Sequence, residues 1–473
     1  MTFDMEVTGP NIVMIVLDSV RRDRLSCYGH ENAETSFLDE VASDGIQFER
    51  AYATGSWTVP VHGSLFTGLY PAEHGAHAQH KYFGVDAEKT LAGRLSEAGY
   101  RTVGFSTNPW ISTDFGFTSG FDEFQYIQPE VPFNDEADNP RQQSFDFSSS
   151  LGRKVAIGRW ALRRNRLRRL TNAVYASLFL DHPISTASEV NDKVTNWLDI
   201  TNSKPFFTFV NYMDAHEPYR VHEEYLPDNA SVRQEALGFD WNLRSLEGGP
   251  QEEYENDVRA AYNASVAYLD NQIRHLFQEL QDRNLLEDTL VIILSDHGQC
   301  LGEHGFWGHG TFLHEDLVHV PMMIDKPRLC PKANGLDTEL FSLADVPHLI
   351  GDVAGVEFEE RTTSVQSGET SCEKARGLLV ESHGVHENIN NRTISVSREG
   401  YRSMYSGPWR LRRNLDSNTV DVEAVSSTTM NPPQSRLEDL ESRLTNELVS
   451  IELADMSTPS ASVTERLKQL GYR

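Results

Sequence analysis

Acidic and histidine side chains follow two of the apolar runs in this sequence, where buried strands would end. Asp18 follows the run 11–17, and the pair Asp296–His297 follows the run 289–294. Carboxylate oxygens and an imidazole nitrogen at adjoining strand ends can hold one divalent cation. Such a set suits calcium, magnesium, manganese or zinc, and the residue types alone do not choose among them. The competing interpretation is that the aspartates cap turns and the histidine lies at the surface.

A second candidate for chemistry is the hydroxyl of Thr58, within the segment SWTVPVHGSLFTGLYPAEHG at residues 56–75. A proline two positions later and the helix-like residues beyond it place Thr58 at a helix N-terminus. Free N–H groups and the helix dipole favour an anionic ligand there. A bound cation would make the hydroxyl easier to deprotonate and turn it into a nucleophile. The alternative is that Thr58 is a helix cap and His62 a surface residue of the first turn.

The elements that must position these residues follow an alternating pattern. Apolar runs of strand length alternate with helix-like stretches such as 87–98 and 252–285, which predicts a mostly parallel α/β sheet flanked by helices. Such sheets bind ligands at the carboxyl ends of their strands, where the candidate residues lie. The predicted strands are Asn11–Leu17, Arg101–Phe105, Pro205–Tyr212, Thr289–Leu294 and Val320–Ile324.

Changes in composition and in apolar patterning along the chain predict its domain organisation. Residues 1–380 are expected to form a catalytic domain, interrupted at about 127–186 by an insertion that is polar and then basic. A small antiparallel β subdomain is expected at 381–430 and terminal helices with a tail at 431–473. The strands predicted for the subdomain are 392–397, 401–406 and 408–413, with glycine turns at Gly400 and Gly407.

The composition excludes some classes of protein. The chain has 473 residues and a formal net charge of −28, which argues against a general nucleic-acid-binding protein, because phosphate backbones need clustered positive charge. No apolar run approaches the roughly 18 residues of a membrane-spanning helix, and no basic leader precedes the first run, so we expect a cytoplasmic location. The 42 basic residues include only 9 Lys, which favours a halophilic protein; the alternative is an ordinary acidic enzyme.

The segment 153–169 reverses this charge locally, with eight basic residues and no acidic one. Interleaved apolar residues allow a basic amphipathic helix, which predicts peripheral contact with an anionic membrane or a groove for a polyanionic substrate. The alternative, which we favour, is that these arginines pair with the acidic surface of the protein itself.

Several blocks of the sequence resemble, in order, the sulfatase family within the alkaline phosphatase-like superfamily. They cover most of residues 10–350 and include NIVMIVLDSVRRDRLSCYG, TVPVHGSLFTGLYPAEHG, GYRTVGFSTNPW, FVNYMDAHEPY, SDHGQCLGEHGFWGHG and LFSLADVPHLIGDVAGV. The resemblance implies a metal-dependent ester hydrolase in which Thr58 stands where the family has the cysteine or serine that becomes formylglycine. It implies that His216 lies near the leaving group and that His309 replaces a substrate-contacting lysine. The metal ligands it implies are Asp18, Asp296 and His297, and the Thr58 hydroxyl described above is the candidate for a fourth.

The sequence also departs from the family pattern. Ser19 stands where the family has a second aspartate, His62 where it has an arginine, and residues 107–109 where it has Lys-Trp-His. Formylglycine cannot form at Thr58. A formylglycine diol expels sulfate without further attack, whereas an ester of Thr58 has to be hydrolysed directly. Superfamily members with threonine here are typically phosphodiesterases, phosphatases or phospho-group transferases, which tilts the prediction towards a phosphate or phosphonate ester.

The predicted function is therefore a metal-dependent hydrolase of a sulfate- or phosphate-type ester on a small molecule, a glycan or a lipid head group. One alternative is a phosphodiesterase or phospho-group transferase of the same fold acting on a glycan or lipid head group. Another is a degenerate binding protein without catalysis. The oligomeric state stays open, and Asp214 is a candidate ligand for a second metal. The predicted catalytic residues are Thr58, His62, His216 and His309, and the predicted substrate contacts are Asn108, His216 and His309.

Overall fold

The structure is a computed structural model. It describes residues 9–129, 167–169, 171–172, 184–200, 205–227, 230–237, 251–310, 312–334, 338–358, 378–384, 400–425, 432–445, 459–460, 463–464 and 467. The strands in this part of the chain are β1 (Asn11–Leu17), β2 (Ile46–Gln47), β3 (Ala51–Tyr52), β4 (Arg101–Ser106), β5 (Glu123–Tyr126), β6 (Phe206–Tyr212), β7 (Thr289–Leu294), β8 (Cys300–Leu301), β9 (Trp307–Gly308), β10 (Met322–Asp325), β11 (Phe341–Ser342), β12 (Leu378–Ser382), β13 (Tyr401–Ser406), β14 (Trp409–Asn414) and β15 (Val420–Ala424). The α-helices are α1 (Ser36–Asp44), α2 (Thr58–Thr67), α3 (Pro71–His74), α4 (Leu91–Glu97), α5 (Ala187–Ile200), α6 (Gln234–Leu237), α7 (Glu255–Asp282), α8 (Glu315–Val318), α9 (Val346–Ala354) and α10 (Gln434–Thr445).

The central sheet has seven strands in the order β2-β10-β7-β1-β6-β4-β5. The strands from β7 to β5 run parallel, whereas β10 pairs antiparallel with both β7 and β2. The first strand lies between β6 and β7, with Leu17 opposite Tyr212 and Val16 opposite Leu294. The carboxyl ends of three strands that are far apart in the sequence are therefore neighbours.

Both faces of this sheet are covered by helices. Met14 and Val16 belong to one apolar core with residues of α2, α4 and α9, whereas Ile15 and Leu17 belong to a second core with residues of α1, α5 and α7. Burial on both faces requires strands that are apolar along their whole length. Every residue of β6 and β7 is buried accordingly.

The predicted fold class is confirmed: the central sheet is mostly parallel, and a separate antiparallel sheet of four strands, β12-β13-β14-β15, lies near the C-terminus. Its strand β12 begins at Leu378, before the predicted subdomain boundary. Gly400 and Gly407 have the positive φ angles of 100° and 56° expected at turns. The predicted strand 392–397, most of the insertion and the basic segment outside 167–169 lie outside the described residues.

No helix in the described part of the chain combines the length and the apolar character needed to cross a membrane. Cys27, Cys300 and Cys330, the cysteines within the described ranges, are free thiols.

Candidate active site

The carboxyl ends of β1 and β7 bring Asp18, Asp296 and His297 into one buried cluster. One ligand atom from each residue lies within 4.8 Å of the others, and all three side chains are fully buried. The Nε2 atom of His297 lies 3.7 Å from Asp18 Oδ1 and 3.5 Å from Asp296 Oδ2. The structure thus joins the three residues that the strand ends predicted, which come from opposite ends of the catalytic region.

The hydrogen bonds of His297 fix its tautomer. Its Nδ1 lies 2.9 Å from the carbonyl oxygen of Gly298 and therefore carries the hydrogen, which leaves the Nε2 lone pair facing the two carboxylates. Burial lowers the pKa of His297 from 6.5 to about 4, so the imidazole is neutral at physiological pH. A neutral imidazole whose other nitrogen donates to a carbonyl is the usual form of a metal-ligating histidine.

The two carboxylates of the cluster are held differently. Asp18 accepts hydrogen bonds from the Ser19 hydroxyl at 3.0 Å and from the Asn108 amide at 2.7 Å. Asp296 Oδ1 accepts from the backbone amides of His297 and Ser19, at 2.9 and 3.3 Å, while its buried Oδ2 accepts none. Burial, and secondly the charge of Asp18, raise the pKa of Asp296 well above its usual range. A bound cation would remove this penalty, so the cluster fits a divalent metal ion.

Thr58 is the first residue of α2, as predicted, and its hydroxyl faces the cluster. Its Oγ1 lies 3.5 Å from His297 Nε2 and accepts a hydrogen bond of 3.3 Å from Asn108 Nδ2. The extended backbone of Trp57 precedes the helix, and Pro60 is tolerated in the first turn, where no intrahelical donor is needed. All ten residues of α2 are buried, which fixes the position of the hydroxyl.

His62 lies one turn further along α2 and is buried. Its Nδ1 donates to the carbonyl oxygen of Thr58 at 3.0 Å and lies 3.5 Å from Asp296 Oδ2. The alternative that His62 is a surface residue is therefore wrong. Burial lowers its pKa to about 4, so this imidazole replaces the arginine of the family pattern without carrying its charge.

A second group lies beside the first, and two of its residues, Glu217 and Gln299, are not among the predicted site residues. His216 and His309 lie with Glu217, one ligand atom of each within 4.8 Å of the others. Gln299 donates to Glu217 Oε2 at 2.8 Å, and its Oε1 lies 2.7 Å from His309 Nδ1. The position of Glu217 next to His216, and of Gln299 two residues after His297, was the sequence signal available for finding them.

Asp214 does not join this second group. Its Oδ1 accepts a hydrogen bond of 3.3 Å from the backbone amide of Ala187, and burial raises its pKa to about 7. The structure therefore places Glu217, and not Asp214, beside His216.

Buried neutral histidines make the fold sensitive to acid. Burial lowers the pKa from 6.5 to about 4 for His62 and His297 and to about 3 for His74, whose ring lies under α2. The unfolded chain binds these protons near 6.5, so the stability is complete above that pH and is lost as the pH falls towards the folded pKa values. We expect the thermal unfolding midpoint in chelator to fall steeply below pH 6.5 and less steeply in His74→Gln. A midpoint independent of pH in that window would contradict the assigned protonation states.

Three features define the class of this protein: a mostly parallel α/β sheet, an acid–histidine cluster at its strand ends, and a hydroxyl at an adjoining helix N-terminus. The family model described as Sulfatase matches residues 10–356. The chain belongs to the sulfatase family, and the predicted resemblance is confirmed.

Individual relatives are distant. Iduronate 2-sulfatase of Mus musculus is 26% identical over 367 residues, which are 71% of this chain and 62% of that protein. The chain thus matches less than two thirds of the length of that relative. Arylsulfatase of Clostridium perfringens is 24% identical over 407 residues, with 80% of this chain and 81% of that protein covered. The solved structure of the phosphonate monoester hydrolase of Agrobacterium radiobacter is similar in fold, with a TM-score of 0.60 and 19% identity over 92% of this chain and 91% of that one.

Proposed function

We propose that this protein is a metal-dependent hydrolase that uses Thr58 to cleave a phosphate- or sulfate-type ester, with phosphorus esters preferred. The observation that carries the proposal is the position of Thr58 Oγ1, 3.5 Å from the lone-pair nitrogen of His297 and at the N-terminus of a buried helix. A structural helix cap would direct its oxygen to an amide of its own first turn. The N-cap position here is Trp57, and the described hydrogen bonds of Thr58 Oγ1 go to His297 and Asn108.

Asp18, Asp296, His297 and Thr58 are the residues that would hold the cation. When bound, the cation supplies positive charge that makes a hydroxyl more acidic and offsets the negative charge of the transferring group. The buried Oδ2 of Asp296, which accepts no hydrogen bond, supports this assignment because an uncompensated buried carboxylate oxygen is costly.

The remaining residues orient the reacting groups. A single amide nitrogen of Asn108 donates to both Asp18 and Thr58, which aligns the hydroxyl with the cluster. The N–H groups of the first turn of α2 favour an anionic ester next to that hydroxyl. The Thr58 hydroxyl gives up its proton to solvent as its oxygen forms a bond to phosphorus or sulfur. The bond to the alcohol breaks, and His216 or His309 provides the proton that the alcohol takes. In a second step water attacks phosphorus or sulfur, the bond to the Thr58 oxygen breaks, one water proton restores the hydroxyl, and the histidine regains its proton from solvent.

The preference for phosphorus esters rests on how the Thr58 ester is hydrolysed. A threonine ester has no neighbouring hydroxyl through which it can expel sulfate, so water has to attack the bound group itself. The solved phosphonate monoester hydrolase has a similar fold, which supports the proposal that this architecture can accept phosphorus esters.

The test is turnover of matched p-nitrophenyl sulfate, phosphate monoester, phosphate diester and phosphonate with each divalent metal. Faster hydrolysis of the sulfate than of every phosphorus ester would overturn the preference.

The same assays separate the alternatives. Product that appears only when an acceptor alcohol is added would identify a phospho-group transferase. Cation binding without turnover of any ester would favour the degenerate binding protein. Ser19 supports that last alternative, because its hydroxyl donates to Asp18 Oδ1 where the family pattern provides a second carboxylate.

We also propose that the protein works in a cytoplasm of high salt concentration, as its composition predicts. Its net charge of −28 creates repulsion within the folded chain that salt screens. We therefore expect the thermal unfolding midpoint to rise when low-salt buffer is replaced by molar KCl. Sucrose of matched osmolarity is the control, because it lacks the screening ions. A midpoint that falls in KCl would contradict salt adaptation.

A further inference from the structure

Gln299 is a fully buried glutamine whose side chain links loops that follow different strands of the structure. Its Nε2 donates to Glu217 Oε2 at 2.8 Å and to the Tyr219 hydroxyl at 3.1 Å. Its Oε1 lies 2.7 Å from His309 Nδ1. Both polar atoms of the amide are therefore engaged inside the protein, and a buried network of this kind holds its members in one geometry.

The carboxylate of Glu217 decides which way this amide points. An ionised carboxylate only accepts hydrogen bonds, so the NH₂ group of Gln299 has to face Glu217 and its oxygen has to face His309. An amide oxygen also only accepts, so the hydrogen at the second contact belongs to His309 Nδ1. Nε2 is then the nitrogen on the side of the ring that faces away from Gln299, where it can hold or deliver a proton.

His309 is also tied to the backbone that carries Thr58. The residue after it, Gly310, donates from its backbone amide to the carbonyl oxygen of Ser56 at 2.9 Å. The His309 ring lies 4.4 Å from the ring of His297, centroid to centroid, and His297 Nε2 lies 3.5 Å from Thr58 Oγ1. The His309 imidazole is therefore one side chain away from the hydroxyl that we propose as the nucleophile.

His216, the other candidate proton donor, is held in a different way. Its Nδ1 is hydrogen-bonded to the backbone carbonyl oxygen of Glu217, the next residue, so its orientation follows from its own loop. Its ring lies 4.9 Å from that of His309, edge to face. The side-chain bonds that run from Glu217 through Gln299 lead to His309, so they orient this one of the two histidines.

We propose that Gln299, oriented by Glu217, is a positioning residue that makes His309 the proton donor to the departing alcohol, so that esters of unactivated aliphatic alcohols are cleaved. His309 Nε2 gives its proton to the alcohol oxygen as the bond to phosphorus or sulfur breaks, and Nδ1 keeps the hydrogen that Gln299 holds. Nε2 then regains a proton from solvent. The inference rests on the proposed function and assigns one of its two candidate donors.

The test uses two leaving groups that differ in their need for a proton. A p-nitrophenolate departs without one, whereas an aliphatic alkoxide does not. The probes are the p-nitrophenyl and methyl esters of phenylphosphonate and of sulfate, with the metal-loaded, full-length protein. We expect Gln299→Met to lower kcat/KM for the methyl ester by about 10²-fold and for the p-nitrophenyl ester by less than about threefold.

The matched control is Gln272→Met, which changes a buried glutamine on α7 whose Oε1 accepts a hydrogen bond from Asn191. It should leave the ratio of the two rates unchanged, because a loss of stability alone affects both esters equally. If Gln299→Met does not fold, Glu217→Gln replaces it, since an amide at 217 no longer dictates the orientation of Gln299 and should lower the ratio in the same direction.

A double-mutant cycle shows whether Gln299 acts through His309. His309→Gln should lose the methyl ester as Gln299→Met does, and the double variant should lose no more, because the two changes remove the same effect. Additive losses would overturn the proposal. A selective loss of the methyl ester in His216→Gln, with none in Gln299→Met, would also overturn it and would assign the proton to His216.

Nitrogen-15 NMR of the histidine-labelled, metal-free protein at alkaline pH measures the tautomer without turnover. Comparison with His309→Gln identifies the His309 signal. We expect the hydrogen on Nδ1 in the wild type and a mixture of tautomers in Glu217→Gln. A hydrogen on Nε2 of the neutral wild-type ring would overturn the inference whether or not any ester is cleaved. Turnover in Thr58→Val, lost or retained, bears on the proposed function alone.

Discussion

Replacing Thr58 by valine is expected to lower turnover of the best phosphorus ester by about 10³-fold or more, because removal of a nucleophile is among the costliest single changes in an enzyme. Valine keeps the branched shape of the side chain within a fully buried helix, and the Asn108 amide keeps its hydrogen bond to Asp18, so the fold should be preserved. Thr58→Ser keeps the hydroxyl and should retain activity within about tenfold, since the lost methyl group only loosens its position.

The control for this prediction is Thr67→Val, which changes a threonine at the other end of the same helix whose hydroxyl donates to the carbonyl oxygen of Gly63 at 2.7 Å. It should leave kcat unchanged. Acid quenching during turnover should trap a phosphorylated wild-type peptide that contains Thr58 and is absent from Thr58→Val. Equal kcat for wild type and Thr58→Val would show that another group attacks the ester.

Asp296→Asn is expected to abolish binding of the cation at the Asp18–Asp296–His297 cluster, and with it nearly all turnover. The same change is expected to make the metal-free protein more stable. The amide keeps the oxygen that accepts hydrogen bonds from Ser19 and His297. Its NH₂ group takes the place of Oδ2, 3.5 Å from the His297 lone pair, where a donor is favourable. The charge that burial and Asp18 disfavour is gone.

The stabilising effect of Asp296→Asn on the metal-free protein is expected to depend on pH. The folded protein holds the Asp296 proton to higher pH than the unfolded chain, whose carboxyl pKa is about 3.8, so the contribution of Asp296 to stability falls as the pH rises above that value. In chelator, the unfolding midpoint of Asp296→Asn should exceed that of the wild type, increasingly so towards alkaline pH. Saturating cation should reverse the order. Asp325→Asn, which changes a buried carboxylate on β10 outside the cluster, is the control. A wild type more stable than Asp296→Asn in chelator at alkaline pH would refute the assignment.

The sequence predicted the central strands well because their physical cause is local. Strands that are buried on both faces have to be continuously apolar, and the runs 11–17 and 289–294 coincide with β1 and β7 to the residue. The pairings β8 with β9 and β11 with β3 involve two residues in each strand and were not predicted. Such short pairings are set by the tertiary packing of loops, for which no periodicity exists in the sequence.

In the candidate site, too, residues next to regular elements could be predicted, whereas contacts between loops could not. Asp18, Thr58 and Asp296 follow or begin regular elements, so their location could be inferred from those elements. The burial of Glu217 and the link that Gln299 makes between Glu217 and His309 depend on loops after three different strands. A glutamate in a sequence is expected at the surface, and only the folded structure shows that this one faces two imidazoles.

The central position of β1 has a consequence for the synthesis of the protein. Both partners of this strand are made late, and the contact between Ser19 and Asp296 closes a loop of 277 positions. A nascent chain that ends before β7 leaves one edge of β1 without its partner strand, and exposed edges of apolar strands invite aggregation. The cation ligands assemble only when that edge is closed, so the ability to bind metal arises together with the completed sheet. A prematurely terminated chain would hold the threonine and one aspartate but no cation site.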